Sequence, residues 1–176
     1  MLKLVHTKTE SPIGQLDIVA SERGIVLALF EDSDQTTKDI SRLIKKLKAE
    51  LIIGENRHTL EFKKQLREYF AGSRQRFSVP LQLIGTAFQN EVWTITRAIP
   101  YGQQVSYKSQ TLKFRDIKSV RAVGRANGLN KIMSAIPCHR VVASDGKLSG
   151  YAGGIDRKRF LLNLERQALG ERDLFS

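Results

Sequence analysis

The sequence predicts an α+β protein with two domains: an N-terminal α/β domain holding a small antiparallel sheet, and a C-terminal helical domain. Three short apolar runs near the start have the length and alternation of strands. From about residue 86 the apolar residues recur at helical spacing instead. Two short helices separated by a tight turn then indicate a helix-turn-helix. These observations give domains of residues 1–84 and 85–176.

The N-terminal domain combines strands with two amphipathic helices. The predicted strands are residues 2–8, 14–21 and 24–31, the last two joined by the turn SERG. A helix is predicted for residues 34–51, with its lysines opposite an apolar stripe. A second helix covers residues 59–72 and ends at Gly72, a residue that favours left-handed backbone. Residues 76–85 alternate apolar and polar side chains, which indicates a strand or an extended linker.

The C-terminal domain carries helix signals in quick succession. Thr86 and Gln89 form a capping-box pattern that starts a helix ending at Pro100. Ser106 can cap a short helix that runs to about residue 114. A tight turn would separate this helix from the next one.

The next helix is predicted for residues 117–127, with Asp116 as its N-cap. The residues expected to face the domain interior are Ile117, Val120 and Val123. The basic residues expected to share the outward face are Lys118, Arg121 and Arg125. The small residues that would let a partner approach the backbone are Ala122, Gly124 and Ala126. The sequence therefore predicts a helix with a basic, sterically open face.

The positive charge of the chain is concentrated in its second half. The formal net charge is +11. Residues 1–80 have 14 Lys or Arg and 11 Asp or Glu, whereas residues 81–176 have 15 and 7. Residues 113–140 contain one acidic residue, Asp116, and seven basic ones. The seven are Lys113, Arg115, Lys118, Arg121, Arg125, Lys131 and Arg140. This pattern indicates a nucleic-acid partner.

Cys138 is the single cysteine of the chain. One cysteine excludes an intrachain disulfide and a Cys-rich zinc site, and no metal is expected. The N-terminus lacks the hydrophobic core of a signal peptide, and no apolar run approaches the roughly 18 residues of a membrane span. We therefore expect a cytoplasmic protein, or a nuclear one if its source is eukaryotic.

The neighbours of Cys138 suggest a reactive thiol. A thiol with its usual pKa of about 8.5 needs a base or a positive environment to act as a nucleophile. His139 follows in sequence, and Arg140 and nearby cations would favour the thiolate. Adjacent side chains on an extended segment point apart, so contact needs a bridging water or a bend after Pro137. The carboxylates that could orient the imidazole are Asp145, Asp156, Glu165, Glu171 and Asp173.

Five motifs together resemble one family. They are GTAFQNEVW, IPYGQQVSY, RAVGRANGLN, IPCHRVVASDGKLSGYAGG and RKRFLLNLE, within residues 85–166. They are similar to those of the O6-alkylguanine-DNA alkyltransferases (methylated-DNA–protein-cysteine methyltransferases). The resemblance implies a ribonuclease H-like N-terminal domain and a C-terminal winged helix-turn-helix domain. It also implies direct-reversal DNA repair, in which a flipped O6-alkylguanine transfers its alkyl group irreversibly to a cysteine, without a cofactor or turnover.

The resemblance also assigns roles to individual residues. The catalytic set is Cys138 as alkyl acceptor, His139 as water-bridged base, Glu165 as the carboxylate that holds the imidazole, Tyr107 as donor to guanine N3 and Asn130 as a hinge. The residues at the base pocket are Tyr151, Ala152, Val141 and Lys158. Arg121 would fill the gap left by the flipped base, with Ala122 and Gly124 in the minor groove. Lys118 and Arg125 are assigned to phosphates by their spacing.

Three other classes of protein share some of these sequence features. The chain departs from the family pattern at Lys131, Arg115, Ile117 and Thr111. A module that flips and flags alkylated bases would not need the cysteine. A Cys–His hydrolase would not need Arg121 or the basic helix, and a plain helix-turn-helix regulator would not need the groups around the thiol. The expected partner is therefore double-stranded DNA that carries O6-alkylguanine, bound by a monomer that can cluster along the duplex.

Overall fold

The structure is a computed structural model that describes residues 1–31, 34–114 and 119–171. It divides into two compact units, Met1–Leu83 and Ile84–Ser176. Within the described ranges, none of the helices has the length and apolar character needed to cross a membrane. The predictions made for residues 115–118 lie outside the described residues.

The first unit contains a four-stranded sheet in the order β3-β2-β1-β4. Its strands are β1 (Leu2–Thr9), β2 (Leu16–Ser21), β3 (Gly24–Phe30) and β4 (Ala49–Ile53). Strands β1, β2 and β3 pair antiparallel, as predicted, through two short connections. The fourth strand pairs with β1 in parallel, because the chain crosses back through a helix before it returns to the sheet.

Strand β4 replaces the end of a predicted helix. Helix α1 covers Asp34–Leu47 rather than residues 34–51. Lys48 has a left-handed φ of +49°, which stops the helix. Ala49–Ile53 then align with β1, from Leu2 opposite Ala49 to His6 opposite Ile53. The helix prediction over residues 49–51 is wrong, because a distant strand determines their conformation.

The second helix and the segment after it agree with the sequence patterns. Helix α2 covers Arg57–Phe70 and begins at the N-cap Asn56. Gly72 lies just beyond its end with a φ of +77°. Pro80 and Gln82 hold the following segment against Ile25 of β3 by backbone hydrogen bonds of 2.9 and 2.8 Å. The expectation of an extended segment here is confirmed.

The second unit is mainly helical. Its elements are α3 (Ala87–Arg97), β5 (Val105–Ser106), α4 (Tyr107–Thr111), α5 (Val120–Gly128), β6 (Val141–Val142) and α6 (Ile155–Ala168). Strands β5 and β6 pair in parallel. The capping box of Thr86 and Gln89 is confirmed at the start of α3. The Ser106 hydroxyl caps α4 by accepting from the Ser109 N–H at 2.9 Å, although α4 ends at Thr111 and not near residue 114.

Helix α5 begins later than the sequence pattern suggested. Its N-cap is Ser119, whose hydroxyl accepts from the backbone N–H of Ala122 at 3.0 Å. Asp116, the predicted N-cap, lies outside the described residues. A hydroxyl one residue before Val120 satisfies a free N–H of the first turn, so the helix begins there.

The faces of α5 follow from this start. Its buried residues are Val123, Ala126 and Asn127. Val120 is 46% exposed, so the prediction that it faces the interior is wrong. Arg121 and Arg125 are exposed and lie one turn apart. The predicted basic face is thus present on the described helix through these two arginines.

Candidate active site

Cys138 lies in a tight turn after Pro137. A 3₁₀ turn covers Cys138–Arg140, and the Arg140 N–H donates to the Pro137 carbonyl at 2.9 Å. The expected bend after Pro137 is confirmed. The thiol side chain is only 5% exposed. Cys138 and His139 therefore lie in a turn and not in an extended segment, in which adjacent side chains would point to opposite sides.

Asn130 links the end of α5 to the turn that carries the thiol. Its side-chain Nδ2 donates to Cys138 Sγ at 3.2 Å and to the Ile136 carbonyl at 2.9 Å. Its Oδ1 accepts from the Ile132 N–H at 2.9 Å. Asn130 is itself buried, so all three contacts lie away from bulk solvent. One side chain therefore sets the position of Cys138 relative to the end of α5.

His139 and Glu165 form a buried pair. His139 Nε2 lies 2.7 Å from Glu165 Oε1, and both side chains are inaccessible to solvent. Burial lowers the pKa of the His139 imidazole, and the neighbouring carboxylate counters this only in part. The imidazole is therefore neutral at neutral pH. A hydrogen bond to the carboxylate places the ring proton on Nε2, which leaves Nδ1 as the basic nitrogen.

Glu165 is held as an anion by two further groups. Arg140 donates from Nε to Oε2 at 2.9 Å and from Nη2 to Oε1 at 2.8 Å. The backbone N–H of Gly102 donates to Oε2 at 3.0 Å. Burial alone would raise the pKa of Glu165, but His139 and Arg140 outweigh it and hold the pKa well below its usual range. The carboxylate therefore stays ionised and fixed in place.

The guanidinium of Arg140 lies against the carboxylate of Glu165. Besides Glu165, its guanidinium donates to the Ile99 carbonyl at 2.6 Å. The groups that lower the pKa of Cys138 include Asn130 and Lys158, whereas the guanidinium of Arg140 is paired with the carboxylate of Glu165. The position of Arg140 near Cys138 in the sequence suggested an effect on the thiol. Its partner in the structure is Glu165, which lies 25 residues further along the chain.

Lys158 supplies a positive charge beside Cys138. It is fully buried on α6, and its Nζ donates to the carbonyls of Val141 at 2.6 Å and Ser149 at 3.1 Å. Burial lowers the pKa of Lys158 from 10.5 to about 8, and the Cys138 thiolate acts against that shift. Burial raises the pKa of Cys138, while Asn130 and Lys158 act to lower it. The resting site therefore holds a neutral thiol with groups that favour its anion.

Two phenols lie at the same site. Tyr107 is the first residue of α4, and its hydroxyl lies 3.3 Å from the carbonyls of Ser149 and Gly150. The hydroxyl of Tyr151 is buried. Burial raises the pKa of both phenols, and the Cys138 sulfur adds to the effect. Both hydroxyls therefore remain protonated and can donate hydrogen bonds.

The remaining pocket candidates differ in exposure. Val141 is completely buried in β6, and its carbonyl binds Lys158. Ala152 is exposed on the loop before α6. The side chain of Val141 therefore supports the interior, whereas Ala152 lies where a ligand could reach it.

The small residues of α5 lie next to the site. Ala122 and Gly124 are partly exposed between Arg121 and Arg125. A Cβ atom on Gly124 would lie 3.7 Å from the ring of Tyr107. The basic helix and the phenol are thus neighbours. Of the residues assigned to DNA, Lys118 lies outside the described residues.

The sequence patterns do not indicate two of the contacts made by Glu165. Gly102 contributes a backbone N–H to Glu165, and Arg140 contributes a guanidinium to the same carboxylate. Gly102 has a φ of +75°, which fits a turn glycine in IPYGQQ. A backbone donor has no side-chain signature, so only the turn itself could have indicated this position.

The fold and the site together define a class of protein. Its features are a basic helix, a buried thiol and an imidazole–carboxylate pair that supports this thiol. Residues 87–167 match the family model for the 6-O-methylguanine DNA methyltransferase DNA binding domain. Residues 4–83 match the model for its ribonuclease-like domain. The chain therefore belongs to the 6-O-methylguanine DNA methyltransferase family.

Individual relatives agree with this assignment. The chain is 39% identical to the constitutive methylated-DNA–protein-cysteine methyltransferase of Bacillus subtilis, over 95% of this chain and 98% of that protein. It is also 39% identical to the methylated-DNA–protein-cysteine methyltransferase of Methanosarcina barkeri, over 91% and 96% of the two chains. A crystal structure of Mycobacterium tuberculosis OGT in complex with DNA matches with a TM-score of 0.79 and 34% identity, covering 94% of each chain.

The resemblance found in the sequence motifs is confirmed by these matches. The protein is a DNA repair methyltransferase of the direct-reversal type, and DNA is its partner. The names of the Bacillus subtilis and Methanosarcina barkeri relatives describe neither a hydrolase, nor a plain regulator, nor a flagging module.

Proposed function

We propose that the protein repairs O6-alkylguanine in double-stranded DNA by transferring the alkyl group once, and irreversibly, to Cys138. The observation that carries this proposal is the buried arrangement of Asn130, Cys138, His139 and Glu165. Asn130 positions the sulfur at 3.2 Å, and Glu165 fixes the imidazole of the adjacent His139 at 2.7 Å. Each group has a function in generating and stabilising a thiolate.

The transfer balances without a cofactor. A water between Cys138 and His139 would carry the thiol proton to Nδ1, and Glu165 would stabilise the resulting imidazolium. The thiolate then attacks the alkyl carbon, forming a C–S bond while the C–O6 bond breaks. The electron pair of that bond goes to guanine, and a hydrogen bond from Tyr107 to N3 would stabilise the departing base. Guanine then takes up one proton from solvent, while the imidazolium of His139 returns the thiol proton to solvent. A thioether is a poor leaving group, so the protein is consumed in the reaction.

The pocket around the flipped base would be formed by Tyr107, Tyr151 and the exposed loop at Ala152. The raised pKa of each phenol keeps its proton available for the base. The Tyr107 hydroxyl now faces the carbonyls of Ser149 and Gly150, and the base would take their place. Val141 would act through its backbone, because its side chain is buried.

Helix α5 would contact the DNA. Arg121 would fill the gap left by the flipped guanine, with Ala122 and Gly124 close to the minor-groove backbone. Arg125 and Lys118 would bind phosphates. We further propose that the protein works in the cytoplasm as a monomer, and that several monomers can bind along one duplex.

The mass of the intact protein tests the proposed function. The protein is incubated with a duplex containing O6-methylguanine, and the product is mapped by proteolysis. We expect one added methyl group, on Cys138, at a one-to-one limit. An unchanged mass with the lesion still bound would indicate a protein that only flips and flags the base. An unchanged mass without binding would contradict the proposal entirely.

Removing the side chain of Arg121 should separate base flipping from chemistry. Extruding a paired base costs roughly a few kcal/mol, which an inserted side chain helps to offset. We expect Arg121→Ala to slow transfer from duplex by about tenfold or more, and to leave transfer from free O6-benzylguanine within about twofold. Single-turnover rates on the two substrates measure this difference.

Arg125→Ala is the matched control for Arg121→Ala. Arg125 is exposed one turn along the same helix. This control should weaken DNA binding and flatten its salt dependence, with the rate at saturating duplex unchanged. Equal losses on duplex and free base for Arg121→Ala would contradict the gap-filling role.

Removing the charge of Lys158 should raise the pKa of the thiol. We expect Lys158→Met to raise the pKa of the thiol further and to lower the transfer rate at neutral pH by about tenfold. Wild-type Lys158 is charged below its pKa of about 8 and neutral above it. The difference between the two proteins should therefore shrink as pH rises through that value. Rates with free O6-benzylguanine, measured from about pH 6 to about pH 10, give both profiles.

Lys147→Met provides the control for Lys158→Met. Lys147 is exposed, and its ammonium lies 4.0 Å from Asp145, so its loss should leave the profile unchanged. Thermal unfolding of each variant shows whether it is folded. Identical pH profiles for Lys158→Met and the wild type would refute the electrostatic role.

A further inference from the structure

Three polar side chains form a hydrogen-bonded trio in the interior of the second unit. Thr96, Gln110 and Asn127 are 0%, 1% and 2% exposed. Gln110 Nε2 donates to Thr96 Oγ1 at 2.6 Å, and Asn127 Nδ2 donates to Gln110 Oε1 at 2.7 Å. Thr96 Oγ1 lies 2.8 Å from Asn127 Oδ1, which closes the ring of contacts. Each side chain of the trio thus contacts the other two.

Backbone groups complete the arrangement. Asn127 Nδ2 also donates to the Val123 carbonyl at 3.1 Å. The single proton of the Thr96 hydroxyl can go to Asn127 Oδ1 or to the Val92 carbonyl, both at 2.8 Å. The indole N–H of Trp93 donates to the Ala126 carbonyl at 2.8 Å, again from α3 to α5. The buried polar atoms of the trio therefore all have partners.

The trio joins three helices, one residue from each. Thr96 belongs to α3, Gln110 to α4 and Asn127 to α5. Gln110 is one turn from Tyr107, and Asn127 is three residues before Asn130. The trio therefore links the helix with the proposed phenol donor to the helix that leads into the Cys138 support.

A polar connection of this kind sets helix position more narrowly than an apolar one. A shift of α5 along its axis would leave buried amide or hydroxyl groups unpaired, and unpaired buried groups are costly. Leucine side chains in the same place would tolerate such a shift, because dispersion contacts are not directional. The ring of hydrogen bonds thus favours one register of α5 against α4.

We propose that Thr96, Gln110 and Asn127 are positioning residues for base flipping, because they fix the register of α5, which carries Arg121, relative to Tyr107 on α4. The proposal rests on the proposed function and extends it to residues that touch neither DNA nor the reacting atoms. Its consequence is specific. Disturbing the trio should impair the step in which duplex DNA is deformed more than the chemistry at the thiol.

The test replaces all three residues together by apolar ones of similar shape, Thr96→Val, Gln110→Leu and Asn127→Leu. Removing every member leaves no unpaired partner within the trio, so the protein should remain folded with a similar melting temperature. We expect transfer from an O6-methylguanine duplex to slow by about tenfold, and transfer from free O6-benzylguanine to stay within about twofold of the wild type. The ratio of the two rates is the quantity measured.

Single substitutions keep the test decisive if the triple variant does not fold. Thr96→Val should lower the duplex rate relative to the free-base rate, whereas Thr96→Ser, which retains the hydroxyl, should restore the wild-type ratio. Thr94→Val is the matched control, since the hydroxyl of the exposed Thr94 only bonds the Asn90 carbonyl of its own helix.

An unchanged duplex rate in both the triple variant and Thr96→Val would overturn the positioning role. Equal slowing on the two substrates would also overturn it, because it would indicate general destabilisation. Wild-type transfer to Cys138 is established first by the mass measurement. A wild type that gains no methyl group would refute the proposed function and this inference together. The ratio of the duplex rate to the free-base rate in the variants tests the role of the trio alone.

Discussion

Cys138→Ala is expected to abolish alkyl transfer and to leave the affinity for lesion-bearing duplex within about twofold of the wild type. The proposed reaction has a single nucleophile, and no other cysteine exists in the chain to replace it. The thiol is almost fully buried, whereas the arginines proposed to bind DNA are on the exposed face of α5. Intact mass after incubation with the duplex measures transfer, and fluorescence anisotropy measures binding.

Ser134→Ala is the matched control for Cys138→Ala. Ser134 is a buried residue four positions earlier in the same loop, and its substitution also removes one γ atom. This control should transfer the methyl group at the wild-type rate. A methyl group found on the Cys138→Ala protein would contradict the assignment of the acceptor.

The local parts of the fold could be predicted from the sequence. The capping box at Thr86 and the turn glycine Gly72 act within a few residues, so their patterns are sufficient. Residues 49–51 continue a lysine-rich helical pattern, and only pairing with β1 makes them a strand. The N-cap of α5, Ser119, was not predicted because Asp116, three residues earlier, is also a residue type that N-caps helices.

The site shows the same division between local and distant determinants. Cys138 and His139 are adjacent, and their motif was sufficient to single them out. The partner of Arg140 could not be predicted, because Glu165 lies on a helix whose packing depends on the whole unit. The burial of Lys158 also depends on that packing. The electrostatics of the thiol therefore follow from tertiary structure rather than from the motif.

Glu165 connects the stability of the fold with the proposed transfer reaction in one side chain. It is buried with a bidentate guanidinium, an imidazole and a backbone N–H. Removing one member of a buried ion pair is costly because the remaining charge stays in a medium of low polarity. The same removal takes away the group that orients His139. A neutral substitution at this position should therefore damage both properties.

We expect Glu165→Gln to lower the free energy of unfolding by roughly 3–5 kcal/mol, because Arg140 would be left buried without its counter-charge. Transfer should slow by at least about a hundredfold, since an amide does not stabilise the imidazolium as a carboxylate does. Chemical denaturation measures the first effect, and single-turnover kinetics with free O6-benzylguanine measures the second.

The stability difference should also depend on pH in a defined direction. The pKa of Glu165 in the folded protein lies well below its usual range, whereas in the unfolded chain it is about 4.3. The carboxylate therefore contributes its full stability above that value and loses it as pH falls further. Glu165→Gln has no such carboxylate, so the gap between the two proteins should narrow in acid.

Glu171→Gln is the control for Glu165→Gln. Glu171 also pairs with an arginine, Arg166, at 2.6 Å, but its side chain is 48% exposed. Solvent screens such a pair, so its loss should cost less than about 1 kcal/mol and leave transfer unchanged. If both glutamine variants were equally stable and equally fast, the contribution of Glu165 could not come from its burial. The buried ion pair would then have no part in supporting the thiol.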